Sequence, residues 1–178
     1  MTLKSDHAES HLLPDSVSRD LADALLAHGF KDVPETSPAL PGGVQRLLKR
    51  QNWNTNRAVV VASVLERPQE LGAYIRQLRV SVAKRCGYLP VLWPIGIQVV
   101  IGTPGALQVD PAPYLAPVDN QWALIQSVFL VDPQRSEYRE ARTWGQYVTG
   151  KFQDAISTVL ARHFRRYAPD VMDKMPVA

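Results

Sequence analysis

Cysteine is almost absent from this chain. Its single thiol, Cys86, excludes a disulfide within the molecule and suits a reducing compartment. The signatures of common catalytic machines are missing too: there is no GxSxG elbow, no HExxH and no CxxC. The "GTPG" at 102–105 lacks the Lys-Ser/Thr ending of a phosphate loop. The first residues, "MTLKSDHAESHLLPDS", show no basic region leading into an apolar one, and no lipidation motif is visible. Neither a secretory signal nor a lipid anchor is expected, and the expected location is the cytoplasm.

Charge is missing from one long stretch. No charged residue lies between Arg85 and Asp110. That is long enough to cross a bilayer, but prolines 90, 94 and 104 and glycines 87, 96, 102 and 105 interrupt it. Within it "IGIQVVIG" alternates. Ile95, Ile97, Val99 and Ile101 share one face, and Gly96, Gln98, Val100 and Gly102 the other. The run therefore reads as a strand buried in a sheet, and no membrane contact is expected.

The 178 residues suit one domain with a short appendage. Residues 1–14 read as a mobile arm, and 15–43 as an N-terminal helix followed by a proline-rich linker. Residues 44–168 read as a single α/β domain and 169–178 as a C-terminal tail. "DSVSRDLADALLAHGF" places Val17, Leu21, Ala24, Leu25 and His28 on one helical face, with Asp15 or Ser16 as cap. "VQRLLKRQNW" reads as a short basic helix. "NRAVVVASVLER" is a buried strand, and Leu71, Ile75, Leu78, Val82 and Cys86 stripe a helix over 69–86. After a loop at 103–120 come the strand "QWALIQSVFLVD", the turn "PQRS", and "EYREARTW" as hairpin partner. A last helix spans 146–166.

The expected fold is α/β, with α+β as the alternative. A mixed sheet of about four strands contains a βαβ unit and an antiparallel hairpin. Two long helices flank it, and an N-terminal helical arm is added.

Net charge is +3 and uneven: −4 over residues 1–40, +7 over 41–90, −2 over 91–136 and +2 over 137–178. Arg46, Lys49, Arg50, Arg57, Arg76, Arg79 and Lys84 form the basic block, with Trp53 among them. Cations beside an aromatic suit phosphates and bases. The leading expectation is thus a non-enzymatic binding module that contacts nucleic acid or an acidic protein partner through residues 44–85. Homodimerisation through a strand edge or helix face goes with it. The acidic N-terminal segment (Asp15, Asp20, Asp23, Asp32, Glu35) is expected to lie over this block, in the same chain or in a neighbouring one.

The alternative is a metal-dependent phosphodiesterase of nuclease type. An Asp ending one strand, and a Glu two residues before a Lys on the next, hold Mg²⁺ and activate water in such sites. Asp132, Glu140 and Arg142 occupy those places, with Glu66 as a further carboxylate to test. Arg142 departs from the pattern because it does not release a proton. His7 and His11 have one-turn spacing but no third ligand nearby, and no cofactor or metal is expected. Cys86 reads as packing, and His28 and His163 as helix-end residues.

Overall fold

A computed structural model describes residues 12–34, 39–52, 56–64, 70–86, 95–115, 123–143 and 146–167. His7, His11, Trp53 and Glu66 lie outside these described residues. Among the described residues, helix α1 (Asp15–Leu26) precedes strands β1 (Lys31–Asp32), β2 (Val44–Gln51) and β3 (Asn56–Ser63). Helix α2 (Leu71–Arg85) and strand β4 (Ile95–Gly102) follow. Strands β5 (Ala123–Asp132) and β6 (Glu137–Arg142), helix α3 (Gln146–His163) and strand β7 (Arg165–Arg166) complete the order. Two short 3₁₀ turns, Ala106–Gln108 and Ala112–Leu115, sit in the loop after β4.

The strands form one mixed sheet in chain order, β1 to β7. The β3–α2–β4 unit is parallel as expected, and β5 joins β4 in parallel. The β5–β6 pair is the expected antiparallel hairpin, with Asp132 opposite Glu137. Seven strands replace the expected four. The two-residue β1 and β7 are too short to carry a periodic signal, and β2 is the segment expected to be a basic helix.

Two features explain that reversal. Leu47 and Leu48 are consecutive and both buried, one on each face of the sheet. A strand covered on both sides needs this arrangement, whereas the helical spacing places them on a single stripe. The Leu, Lys, Arg and Gln side chains of β2 are good helix formers, so local propensity points the wrong way. The in-register pairing of Leu47 to Gln51 with Val60 to Asn56 overrides it.

One face of the sheet packs on α2. Ala58, Val60, Ile97, Val99 and Ile101 meet Tyr74, Ile75, Leu78 and Val82 there. The other face carries Val59, Val61, Val100, Phe129, Val131 and Tyr138 against both α1 and α3. The N-terminal helix is therefore not an arm. Val17, Leu21, Ala22 and Leu25 are buried in this second core. Leu13 anchors the entry: its N–H donates to Ser63 Oγ at 2.8 Å and its carbonyl accepts from Gln45 Nε2 at 3.1 Å. Pro14 holds the N-cap position with no side-chain cap, so neither Asp15 nor Ser16 caps the first turn. Helix α3 ends at His163, earlier than expected, because the chain turns at once into β7 alongside β6.

The sequence reading of β4 holds. Its odd positions point to α2 and its even positions to α1 and α3, and all eight residues are buried. Among the described residues no helix is long and apolar enough to cross a membrane.

Candidate functional site

The sheet face under α3 carries polar residues at the end where β3, β4 and β5 begin. Cross-strand register builds two rows. Arg50, Arg57 and Gly96 form the outer one, and Leu48, Val59, Gln98, Ser127 and Arg142 the inner one. Between Ile125 and Ser127 the β4–β5 ladder shifts, which leaves Gln126 as an extra residue. A bulge re-aims the side chain it carries. Here it lays the Gln126 amide over Gly96, so closely that a Cβ at position 96 would stand 2.2 Å from Gln126 Oε1. Gln98 Nε2 donates to that same Oε1 at 3.0 Å, and Gln153 Nε2, from α3, donates to the Gln126 carbonyl at 3.2 Å. Gln98, Ser127 and Gln153 are fully buried, yet Gln98 Oε1, Ser127 Oγ and Gln153 Oε1 have no hydrogen-bond partner among the described residues.

Further along the face, Glu140 and Arg142 come together as the sequence predicted. Arg142 donates to Glu140 at 3.3 Å and to Asp154 of α3 at 2.6 Å. Arg166 donates to Glu140 Oε1 at 2.6 Å, and Ser157 Oγ donates to Glu140 Oε2 at 3.0 Å. Ser157 in turn accepts from the Tyr138 hydroxyl at 3.2 Å. Burial works against the charge on Arg142, but the hydrogen bonds and fields of Asp154 and Glu140 outweigh it and raise its pKa. With Thr158, these residues line an open cleft of about 590 Å³. The Glu140 carboxylate, only 5% exposed, already accepts from three side chains, so its oxygens are engaged.

Asp132 is not part of this group. Strand alternation puts it on the α2 side, with Val128 and Leu130, whereas Glu140 lies opposite Phe129 on the α3 side. Asp132 instead organises the hairpin. Its Oδ1 accepts from the amides of Gln134 and Arg135, and its Oδ2 from the amide of Gly105 at 3.0 Å. Among the described residues no three His, Cys, Asp or Glu side chains cluster as metal ligands.

The basic block does not form one surface. Arg46 pairs with Asp32 at 3.5 Å. Lys49 Nζ donates to the Cys86 carbonyl at 2.6 Å, which caps the C-terminus of α2. Arg76 and Lys84 are exposed on α2, and Arg79, on the same helix, is buried with its Nε unpartnered. Arg50 and Arg57 lie on the opposite face of the sheet. Their guanidinium carbons each stand 5.1 Å from the Phe152 ring centroid, and Lys151 Nζ is 5.1 Å from the same ring. Burial, then the charge of Arg50, lowers the pKa of Arg57.

The acidic N-terminal segment does not cover α2, because α1 packs on the other side of the sheet. Asp32 does meet the block, through Arg46, and Asp20 Oδ2 accepts from His163 Nε2 at 2.7 Å. His28 packs edge-on to Phe152 at 5.8 Å. The sequence could have revealed the Arg50–Arg57 pair. The two are symmetric about the Asn-rich segment 52–55, so reading 44–51 as a strand makes them cross-strand neighbours. The Asp20–His163 contact spans 143 positions and leaves no spacing signal. The chain matches no family model, and comparison with curated proteins and with solved structures found no significant similarity.

Proposed function

We propose that the protein is a binding module that receives a polyanionic partner, nucleic acid in the first instance, on the outer surface of α2. One observation carries this reading. Helix α2 holds Arg76, Lys84 and Arg85 outside the core, with no carboxylate in its own sequence, and none of the three makes an ion pair among the described residues. Lys84 and Arg85 have a structural role as well, since cations in the last turn complement the helix dipole. Arg76 stands exposed mid-helix, where the dipole gives no such reason. Phosphates are the natural counter-charges for a surface of this kind.

The phosphodiesterase alternative rests on Glu140 and Arg142, and both are occupied by ion pairs in place. No observation at that cleft favours it over the binding module.

A salt series tests the proposal. Fluorescence anisotropy with a labelled oligonucleotide should give a linear fall of log K with log salt. Arg76→Gln with Lys84→Gln should flatten the slope by about 1–2 if each contacts one phosphate. An unchanged slope, or no binding at low salt, refutes the reading. Binding to an acidic polypeptide but not to the oligonucleotide moves it to a protein partner.

A further inference from the structure

We propose that Arg50, Arg57 and Lys151 form a second, discrete site for a small phosphate-type oxyanion, at the sheet end covered by α3. It lies on the face opposite α2 and does not rest on the polyanion reading.

Arg50 and Arg57 are register partners on β2 and β3, both turned toward α3. With Lys151 they place three cations around one ring, that of the fully buried Phe152. Arg57 is 8% exposed. Like charges this close repel, and a buried guanidinium without a counter-ion is costly. A ring offers only two faces and partial charges, so Phe152 compensates a small part of this.

The protein supplies no carboxylate here among the described residues. Asp154 and Glu140 are taken by Arg142, Asp20 faces His163, and Asp32 faces Arg46. The neighbouring stretches of sequence, 53–55 and 144–149, contain no Asp or Glu.

A second observation points the same way. Arg57 pairs in register with Gly96, and the Gln126 amide lies directly over that glycine. It brings a neutral polar group, not an acid, onto the strand next to Arg57. Behind it, the fully buried Ser127 holds a hydroxyl, a group able to donate, with no partner among the described residues. Two guanidinium forks and an ammonium, with no carboxylate among the described residues to repel a guest, are the recognition chemistry of a phosphate dianion.

Thermal melts in inorganic phosphate against chloride, at equal pH and ionic strength, test the site. Wild type should show a saturable rise in Tm with phosphate. Arg57→Gln should abolish the rise, and Arg50→Gln should weaken the apparent affinity at least about tenfold. Arg76→Gln, on the other face, should respond like wild type. Without phosphate, Arg57→Gln should melt no lower than wild type, because the charge it removes has only the Phe152 ring and no carboxylate among the described residues. If Arg57→Gln does not fold, the more exposed Arg50 and Lys151→Gln carry the comparison. Phosphate that stabilises wild type and the Arg50 and Lys151 variants alike, or none of them, overturns the site.

Discussion

Glu140 is the place to ask whether the α3-side cleft is structural. The perturbation is Glu140→Gln, which keeps shape and removes charge. In the native protein both carboxylate oxygens accept, from Arg142, Arg166 and Ser157. Glutamine keeps one acceptor oxygen and turns an NH₂ toward donors, so at least one of these contacts becomes donor against donor. Breaking a buried ion pair costs about 3–5 kcal/mol. Two features reduce that here. Arg166 is 65% exposed and rehydrates when released, and Arg142 keeps Asp154 at 2.6 Å. The expected loss is therefore about 2 kcal/mol, or about 4–8 °C in Tm for a chain of this length. Urea unfolding gives the free energy, and a double-mutant cycle shares it out. Coupling of Glu140 to Arg142→Met should exceed coupling to Arg166→Met, since the first pair is the more buried. A loss below about 0.5 kcal/mol would place Glu140 among ordinary surface residues and refute the reasoning.

Two further outcomes follow from single residues. Burial pushes the Cys86 thiol up to about 11, with Lys49 and Arg85 opposing weakly, so the folded state holds its proton more tightly than the unfolded chain. The resulting stability is complete below about pH 9 and is lost between about 9 and 11. The difference in unfolding free energy between wild type and Cys86→Ala, followed across that window, should drift against wild type by about 2 kcal/mol, and a flat difference contradicts it. Gly43 has φ +83°, and a Cβ there would stand 2.3 Å from the Ser63 carbonyl, which is backbone and cannot swing aside. Gly43→Ala should cost about 3 kcal/mol or more in urea unfolding, and a near-neutral result would mean that the β2–β3 entry relaxes freely.

The elements legible in the sequence are those with one clean period. β3 announces itself by a run of β-branched residues, β4 by strict alternation, and α2 by the Leu71, Ile75, Leu78, Val82 stripe, all of which is buried. What escaped are features decided by partners far along the chain. The docking of α1 depends on an apolar face that looks the same on a free arm as on a packed helix. The Glu140–Arg142 contact was legible because residues i and i+2 share a strand face. The separation of Asp132 from it was equally implicit in the count, since positions 129 and 132 of one strand face opposite ways.

The bulge at Gln126 explains why the α3-side polar row exists at all. Ile125 and Val128 are three apart, yet both point to α2. Strict alternation forbids that, because an odd separation puts two residues on opposite faces. The extra residue absorbs the difference: Ala123 and Ile125 before it, and Val128 and Leu130 after it, all reach the same core. The residue that makes this possible cannot itself join the ladder in register, so its backbone must find other partners. Its carbonyl takes the amide of Thr143 at 2.9 Å and the side chain of Gln153, which ties β5 to the end of β6 and to α3. Its side chain crosses to Gly96, where the lack of a Cβ leaves room, and meets Gln98. The glycine and the glutamine that stand out on the even face of β4 are thus two halves of one accommodation. Ordering the apolar residues on the α2 side places amides on the other, along with two arginines that make no ion pair among the described residues.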